Sequence, residues 1–243
     1  MDVVLLHSGV TDSGEWDAIR PLLEADGHRV LAPDLPGFGS QPEPQGEFSL
    51  GEFVLGLPFA RAALVGTSNG GRAALEATME APERVERLVV IGSNPFGWSE
   101  DVAAVGSQEE ELWEAGRLDD AAELMVRAWV DGPHRGPDVV PQALRTRVLE
   151  MQKRAYELQG EEASIRRVEI DPSAIRVPML FIRGALDWDD IARAAQRFAA
   201  EVPDMREVVV DGAAHLPTME QPEAVAAAIT THLGSSTTAL LRE

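Results

Sequence analysis

Short apolar runs rich in β-branched residues alternate along the chain with stretches whose apolar residues recur every three or four positions. The first pattern is typical of buried strands and the second of amphipathic helices. It predicts strands at 2–7, 28–33, 62–65, 88–91, 177–183 and 207–210. It also predicts helices near 16–23, 49–55, 69–80 and 222–232, and one more between the last two strands. Strands that alternate with helices pair side by side in parallel and are covered on both faces. We therefore predict an α/β fold with a mostly parallel sheet between helical layers.

The alternation is interrupted between residues 97 and 170, where no strand-like run occurs and the apolar spacing is helical. One helical stripe there holds Leu144, Val148, Met151, Ala155 and Leu158. We therefore predict a core made of residues 1–96 and 171–243 and a helical cap inserted at 97–170. Such an insertion would lie over the carboxyl edge of the sheet, where ligands bind in folds of this kind. The Pro- and Gly-rich residues 34–48 are predicted to form a loop.

A short glycine-rich segment, Gly66-Thr67-Ser68-Asn69-Gly70-Gly71, lies between the predicted strand at 62–65 and the helix at 69–80. A serine in a G-x-S-x-G turn between a strand and a helix is typical of the nucleophile of hydrolases. The turn brings backbone segments close together, and glycines remove the side chains that would collide. The helix that follows favours negative charge at its first residues. We predict Ser68 as a nucleophile.

A serine hydroxyl needs a base, and a histidine base needs an orienting carboxylate. His215 and Asp187 each follow a predicted strand, so both belong at the carboxyl edge that carries Ser68. His28, His134 and His232 fall at the opposite edge, in the insertion and in the last helix, and are predicted to be structural or surface residues. Asp189 and Asp190 are rivals of Asp187, with an acidic helix start as their alternative role.

The negatively charged intermediate of acyl transfer requires two N–H donors. We predict the backbone of Asn69, directly after the serine, and that of Gly9, in the loop after the first strand. His7 opens the same loop, and we predict that it braces the loop rather than takes part in catalysis.

Composition narrows the function further. The net charge of −20 disfavours nucleic acid and anionic membrane as partners. The absence of cysteine excludes disulfides, thiolate nucleophiles and cysteine-bound metal, and no other cluster of metal ligands stands out. No apolar run is long enough for a membrane helix, and no basic segment precedes the first apolar stretch, so a secretory signal is not expected. These features lead us to expect a cytoplasmic protein.

The order Ser68, Asp187, His215, together with Asp34-Leu35-Pro36-Gly37-Phe38-Gly39 and Gly212-Ala213-Ala214-His215-Leu216-Pro217, resembles the α/β-hydrolase superfamily. It is similar to the branch of esterases, lactonases and C–C hydrolases that carry a helical cap. The resemblance implies an eight-stranded family sheet, a Ser-His-Asp triad and no cofactor. Two departures are Ser8, where a glycine often follows the loop histidine, and Asn69. The chain begins at the strand that the family counts as its third, so the preceding antiparallel pair is expected to be absent.

The residues and the resemblance together predict a serine hydrolase that cleaves a small carboxylic ester, thioester or lactone through an acyl-enzyme. Alternatives are C–C bond hydrolysis, perhydrolysis on the same triad, or a non-catalytic ligand-binding protein. Apolar residues that would line a pocket for this small-molecule substrate are Trp98, Trp129, Trp188 and Met125, although helical spacing also suits the interior of the cap. An unpaired sheet edge favours association of two chains, so a homodimer is an expectation.

Overall fold

The computed structural model describes residues 1–159 and 163–234. Its strands are β1 (Asp2–Leu6), β2 (Arg29–Leu31), β3 (Gly46–Phe48), β4 (Ala62–Thr67), β5 (Val85–Ile91), β6 (Ala163–Ile165), β7 (Met179–Gly184) and β8 (Met205–Val210). Its α-helices are α1 (Arg20–Ala25), α2 (Leu50–Leu55), α3 (Asn69–Glu80), α4 (Glu100–Glu114), α5 (Leu118–Val126), α6 (Gln142–Leu158), α7 (Asp189–Glu201), α8 (Pro217–Glu220) and α9 (Pro222–Leu233). The predicted core segment at 171–243 extends past Gly234, and its residues 235–243 lie outside the described ones.

The central sheet has six strands in the order β2-β1-β4-β5-β7-β8, and every neighbouring pair is parallel. Neighbouring side chains on one strand, such as Val3 and Val4, belong to two different buried clusters because they point to opposite faces. Helices α2, α3 and α7 cover one face, and α1 and α9 cover the other. The predicted parallel sheet with helices on both faces is confirmed. Within residues 1–159 and 163–234 it contains six of the eight strands implied by the family resemblance.

Two predictions were wrong, one about the loop at 34–48 and one about the insertion at 97–170. The segment at 34–48 ends in strand β3, and the supposedly helical insertion contains strand β6, which pairs with β3 in parallel. Each strand is three residues long, and most of their residues are exposed, so neither has the run of apolar residues that marks a strand. The two strands form a second sheet that ties the insertion to the loop before α2.

The helices of the insertion, α4, α5 and α6, follow the prediction. Helix α6 covers the whole predicted stripe, and it buries Val148 and Ala155 from that stripe. No helix in the described part of the chain is both long and apolar enough to cross a bilayer.

Candidate active site

Ser68 stands in the tight turn between β4 and α3, with φ 50° and ψ −110°. It has the only positive φ of any non-glycine residue in the described chain. Such a conformation costs about 1–3 kcal/mol and persists only where its surroundings hold it. Part of that support is the Ser68 N–H, which donates to the Ile91 carbonyl at the end of β5 over 2.7 Å. The strained turn presents this serine at the carboxyl edge of the sheet.

Two glycines make the turn sterically feasible. A Cβ on Gly66 would overlap the Gly70 carbonyl, and a Cβ on Gly70 would overlap the Leu6 carbonyl. The Gly70 N–H also donates to the His7 carbonyl over 3.0 Å, which joins the serine turn to the loop after β1. The predicted need for glycine on either side of Ser68 thus has a steric basis.

His215 and Asp187 form a buried pair. The loop after β8 carries His215, the loop after β7 carries Asp187, and these residues are 1% and 5% exposed. His215 Nδ1 lies 2.9 Å from Asp187 Oδ2 and 3.0 Å from Oδ1, and the ring Nε2 has no partner among the described residues. An Asp–His contact through Nδ1 is the geometry that orients a general base.

Gly92 connects this pair to the serine turn. A Cβ on Gly92 would lie 3.4 Å from His215 Nδ1 and 3.5 Å from Asp187 Oδ2. The residue before it, Ile91, accepts the hydrogen bond from Ser68 N–H. Ser68, Asp187 and His215 therefore flank the same short segment, but no hydrogen bond among the described residues joins Ser68 Oγ to the His215 ring.

The two rival carboxylates have other partners. Asp189 is exposed and lies 3.5 Å from His134 Nε2. Asp190 accepts hydrogen bonds from the Ser99 N–H at 2.7 Å and the Ser99 hydroxyl at 2.9 Å, and it pairs with Arg193. Burial opposes ionisation of Asp190, yet these hydrogen bonds and the Arg193 charge hold its pKa below the usual value. Both residues belong to the start of α7 rather than to the histidine.

The two residues predicted to supply the N–H donors, Gly9 and Asn69, are in contact. A Cβ on Gly9 would be 3.4 Å from the Asn69 Cβ, and neither residue's N–H donates to another described residue. The loop that carries Gly9 is held by His7, whose Nε2 accepts from the Leu35 N–H at 2.8 Å and whose Nδ1 lies 2.7 Å from the Ser8 carbonyl. Burial lowers the pKa of His7. These contacts agree with a bracing role for His7.

Glu15 also holds this loop, and no sequence pattern indicated it. The carboxylate is 2% exposed. It accepts from the Ser8 N–H at 2.8 Å, the Thr11 hydroxyl at 2.6 Å and the Thr218 hydroxyl at 2.8 Å. Because Thr218 follows His215 by three residues, Glu15 joins the loop with the N–H donors to the loop with the histidine.

We expect Glu15→Ala to lower the free energy of unfolding by at least about 2 kcal/mol, because the buried Ser8 N–H and Thr218 hydroxyl lose their acceptor and the Thr11 hydroxyl keeps only a 3.3 Å contact to the Ser8 carbonyl. Glu15→Gln should cost less, since an amide keeps one acceptor for Ser8 and a threonine hydroxyl can reorient to accept. Urea denaturation monitored by tryptophan fluorescence measures both. The matched control is Glu24→Ala, which removes an exposed glutamate paired with Arg20. A Glu15→Ala variant as stable as this control would contradict the linking role.

Three of the four predicted pocket residues, all tryptophans, form ring contacts beside His215. The Trp129 ring packs on His215 with centroids 4.4 Å apart, and Trp98 and Trp188 contact it from two sides at 5.8 and 6.2 Å. Trp188 is fixed by its Nε1–H, which donates to the Ala128 carbonyl. Met125 and Trp129 both pack against an apolar cluster that lies between the insertion and the core. The tryptophans thus form an aromatic wall beside the histidine, and Met125 packs against the same cluster as one of them.

An open cavity of about 220 Å³ lies beside the serine. Its lining residues are Ser68, Asn69, Arg72, Ser93, Asn94, Trp98 and Arg167. Ser93 and Asn94 follow the buried strand β5, a position that signals the carboxyl edge, whereas no local pattern indicated Arg72 or Arg167. Within residues 1–159 and 163–234, no three His, Asp or Glu side chains gather as a metal site would require.

A buried ion pair fastens the insertion to the histidine loop. Arg135 lies 2.5 Å from Glu220, and its guanidinium also donates to the carbonyl of Gly212 over 2.8 Å. The Glu220 carboxylate accepts from the Ala214 N–H at 2.8 Å, directly before His215. Burial raises the pKa of Glu220, and the Ala214 and Arg135 contacts act against that rise. No sequence pattern indicated this ion pair. It joins Arg135, a residue of the insertion, to the loop that carries His215.

Comparison with known proteins identifies the family of this chain. The model of the alpha/beta hydrolase family matches residues 3–228. The chain is 30% identical over 237 residues to the pimeloyl-[acyl-carrier protein] methyl ester esterase of Edwardsiella ictaluri, covering 94% of this chain and 91% of that protein.

Two solved structures have a similar fold. A hydrolase from Pseudomonas aeruginosa superposes with a TM-score of 0.76 at 26% identity, covering 96% of this chain and 89% of that one. The enol-lactonase of Burkholderia xenovorans also superposes with a TM-score of 0.76, at 21% identity, covering 96% of this chain and 90% of that one. At this identity the similarity shows the fold only. The match across nearly the whole chain shows that this protein belongs to the alpha/beta hydrolase family, as an esterase-like member of it.

Proposed function

We propose that this protein hydrolyses a small carboxylic ester, with a thioester or lactone as related substrates, through an acyl-enzyme on Ser68. The observation that carries the proposal is the buried His215–Asp187 pair at the same sheet edge as the strained Ser68 turn. A strained serine turn, an oriented histidine and two neighbouring free N–H groups are the parts that acyl transfer requires.

In the first step, Ser68 Oγ attacks the ester carbonyl carbon while His215 Nε2 takes the hydroxyl proton. Asp187 keeps the remaining ring proton on Nδ1 and stabilises the imidazolium. The N–H groups of Gly9 and Asn69 stabilise the oxyanion. The bond to the alcohol then breaks, and His215 gives its proton to the departing oxygen.

In the second step, water enters the cavity and replaces the alcohol. His215 takes a proton from the water, and the resulting hydroxide attacks the acyl carbon. The bond to Ser68 Oγ breaks, the proton returns to the serine, and the carboxylic acid leaves and loses its proton to solvent.

The size of the site supports a small substrate. The cavity of about 220 Å³ lies below the range of about 300–1,000 Å³ typical of sites for drug-sized ligands. The relative from Edwardsiella ictaluri is, by its name, a methyl ester esterase. Methyl and other short-chain esters are therefore the first substrates to test.

A fluorophosphonate probe tests the proposal, because it reacts with a serine that an adjacent base activates. We expect one adduct per chain, mapped by mass spectrometry to Ser68, together with hydrolysis of p-nitrophenyl acetate. His215→Ala should slow labelling by at least about 10²-fold, because general-base assistance contributes about 10²–10⁴-fold. His134→Ala is the matched control, since His134 lies in the insertion and pairs with Asp189.

An absent adduct, or an adduct on another residue, would overturn the proposal and leave the ligand-binding alternative. Normal labelling without turnover of esters, thioesters or lactones would favour the C–C hydrolase or perhydrolase alternative, which assays with β-diketones and with carboxylic acid plus peroxide would then distinguish.

A further inference from the structure

The cavity beside Ser68 has the opposite charge from the rest of the protein. The chain carries a net charge of −20. Yet, among the residues that the structure describes, the cavity is lined by two arginines, Arg72 and Arg167, and by no aspartate or glutamate. Cationic groups beside a nucleophile in an acidic protein favour an anionic ligand through local Coulomb attraction.

Arg72 is already engaged. Its Nε lies 2.9 Å from a carboxylate oxygen of the fully buried Glu76. Its other nitrogens donate to the carbonyls of Pro95 and Val168 at 3.2 and 2.9 Å. Arg72 therefore neutralises Glu76 and anchors the segment that carries Arg167.

The guanidinium of Arg167 has fewer contacts than that of Arg72. Its one side-chain hydrogen bond is a long contact of 3.5 Å to Asn69 Oδ1, and no carboxylate of the described residues forms an ion pair with it. The preceding Arg166, by contrast, pairs with Glu52 at 2.9 Å and with Glu80 at 3.6 Å. The Arg167 guanidinium, which has no ion-pair partner among the described residues, thus lies beside Asn69, the residue that directly follows Ser68.

The electrostatic surroundings of Arg167 favour one negative charge. Although the side chain reaches solvent, partial desolvation lowers its pKa, the Arg72 charge lowers it further, and Glu76 acts in the opposite direction. An arginine stays protonated under all these conditions. Because Arg72 and Glu76 offset each other, a single positive charge remains, which matches a carboxylate better than a doubly charged phosphate.

Resting on the proposed ester hydrolysis, we propose that Arg167 forms an anion subsite and that the preferred substrates carry a carboxylate in their acyl part, as half-esters of short dicarboxylic acids do. The acyl part becomes bonded to Ser68 in the first step and is released by water in the second, so a subsite in the cavity that contains Ser68 can bind it in both steps. The planar guanidinium can bind a carboxylate through two parallel hydrogen bonds.

The test compares kcat/KM for monomethyl glutarate, which is anionic, with that for neutral dimethyl glutarate. We expect the wild-type protein to prefer the anionic ester, although its overall charge opposes that preference. Arg167→Gln should lower the ratio of the two kcat/KM values by about tenfold, the effect of one partly exposed charge-assisted contact. Arg167→Glu should lower it further. Arg166→Gln, a neighbouring arginine outside the cavity, should leave the ratio unchanged.

Inhibition identifies the anion. Glutarate should compete with substrate in the wild type and lose potency in Arg167→Gln, whereas stronger competition by inorganic phosphate would overturn the assignment to a carboxylate. A preference for acetoxyacetate, whose carboxylate is on the leaving group, would overturn the assignment to the acyl part.

The labelling of Ser68 separates failure of this inference from failure of the proposed function. A protein that labels at Ser68 and hydrolyses dimethyl glutarate, but shows no preference that depends on Arg167, would refute the subsite alone. A protein that neither labels nor hydrolyses any ester would refute both.

Discussion

Ser68→Ala should lower kcat for p-nitrophenyl acetate by at least about 10³-fold, because the acyl-enzyme cannot form without the hydroxyl. Any remaining rate would come from binding and from the N–H groups of Gly9 and Asn69. Steady-state kinetics measures the loss, and the fluorophosphonate adduct should disappear with it. Ser107→Ala removes an exposed serine from helix α4 and serves as the control.

The backbone at Ser68 provides a second readout. Alanine at φ 50° is as strained as serine, so Ser68→Ala should unfold at nearly the same urea concentration as the wild type. Ser68→Gly relieves the strain and should raise the free energy of unfolding by up to about 2 kcal/mol, while activity is still lost. An active Ser68→Ala protein would remove the serine from the mechanism.

Asp187→Asn should lower kcat by about 10³–10⁴-fold while leaving KM within a few-fold of the wild-type value. The carboxylate that faces His215 Nδ1 at 2.9 Å accepts its proton, whereas an asparagine can instead donate to that nitrogen. The ring proton would then move to Nε2, and the histidine could no longer take the Ser68 proton. The magnitude follows from the corresponding change in serine proteases. Kinetics on p-nitrophenyl acetate between pH 6 and 10 measures the effect.

The neighbouring carboxylates provide the controls for this prediction. Asp189→Asn alters an exposed side chain and should change kcat less than about twofold. Asp190→Asn weakens the contact to Ser99 and should act mainly on stability. If either variant lost more activity than Asp187→Asn, the orienting acid would have been assigned to the wrong residue.

The serine turn and the helix behind it were predictable because their signals are local. Residues 69–80 were predicted as a helix, and α3 spans Asn69–Glu80. A buried apolar strand, glycines at fixed positions around Ser68 and an amphipathic stretch all lie within about twenty residues of sequence. The start of α2 is a similar case: a serine followed three residues later by a glutamate is a common helix start, and Ser49 Oγ accepts from the Glu52 N–H at 3.4 Å.

Features that join distant segments were not predictable in the same way. Strands β3 and β6 are too short and too exposed for an apolar pattern, and they exist only because the chain brings them together. Glu15 and Thr218 are separated by 203 positions, and Arg167 and Asn69 by 98. An isolated glutamate or arginine in the sequence carries no sign of such a partner.

The sequence by itself determined which main elements are strands and which are helices, and which loops lie at the carboxyl edge of the sheet. These features are predictable because the spacing of apolar residues and the positions of glycines are signals between residues that are close in the sequence. The sequence therefore brought Ser68, Asp187 and His215 to one edge but left Asp189 and Asp190 open as rivals. Only the tertiary structure decided that Asp187 faces the histidine, that Trp129 packs on it and that Arg167, which has no ion-pair partner in the described part of the chain, lies beside the serine. These contacts depend on how the helices pack on the sheet. Two side chains touch only when segments that are far apart in the sequence are placed to within about an ångström of each other.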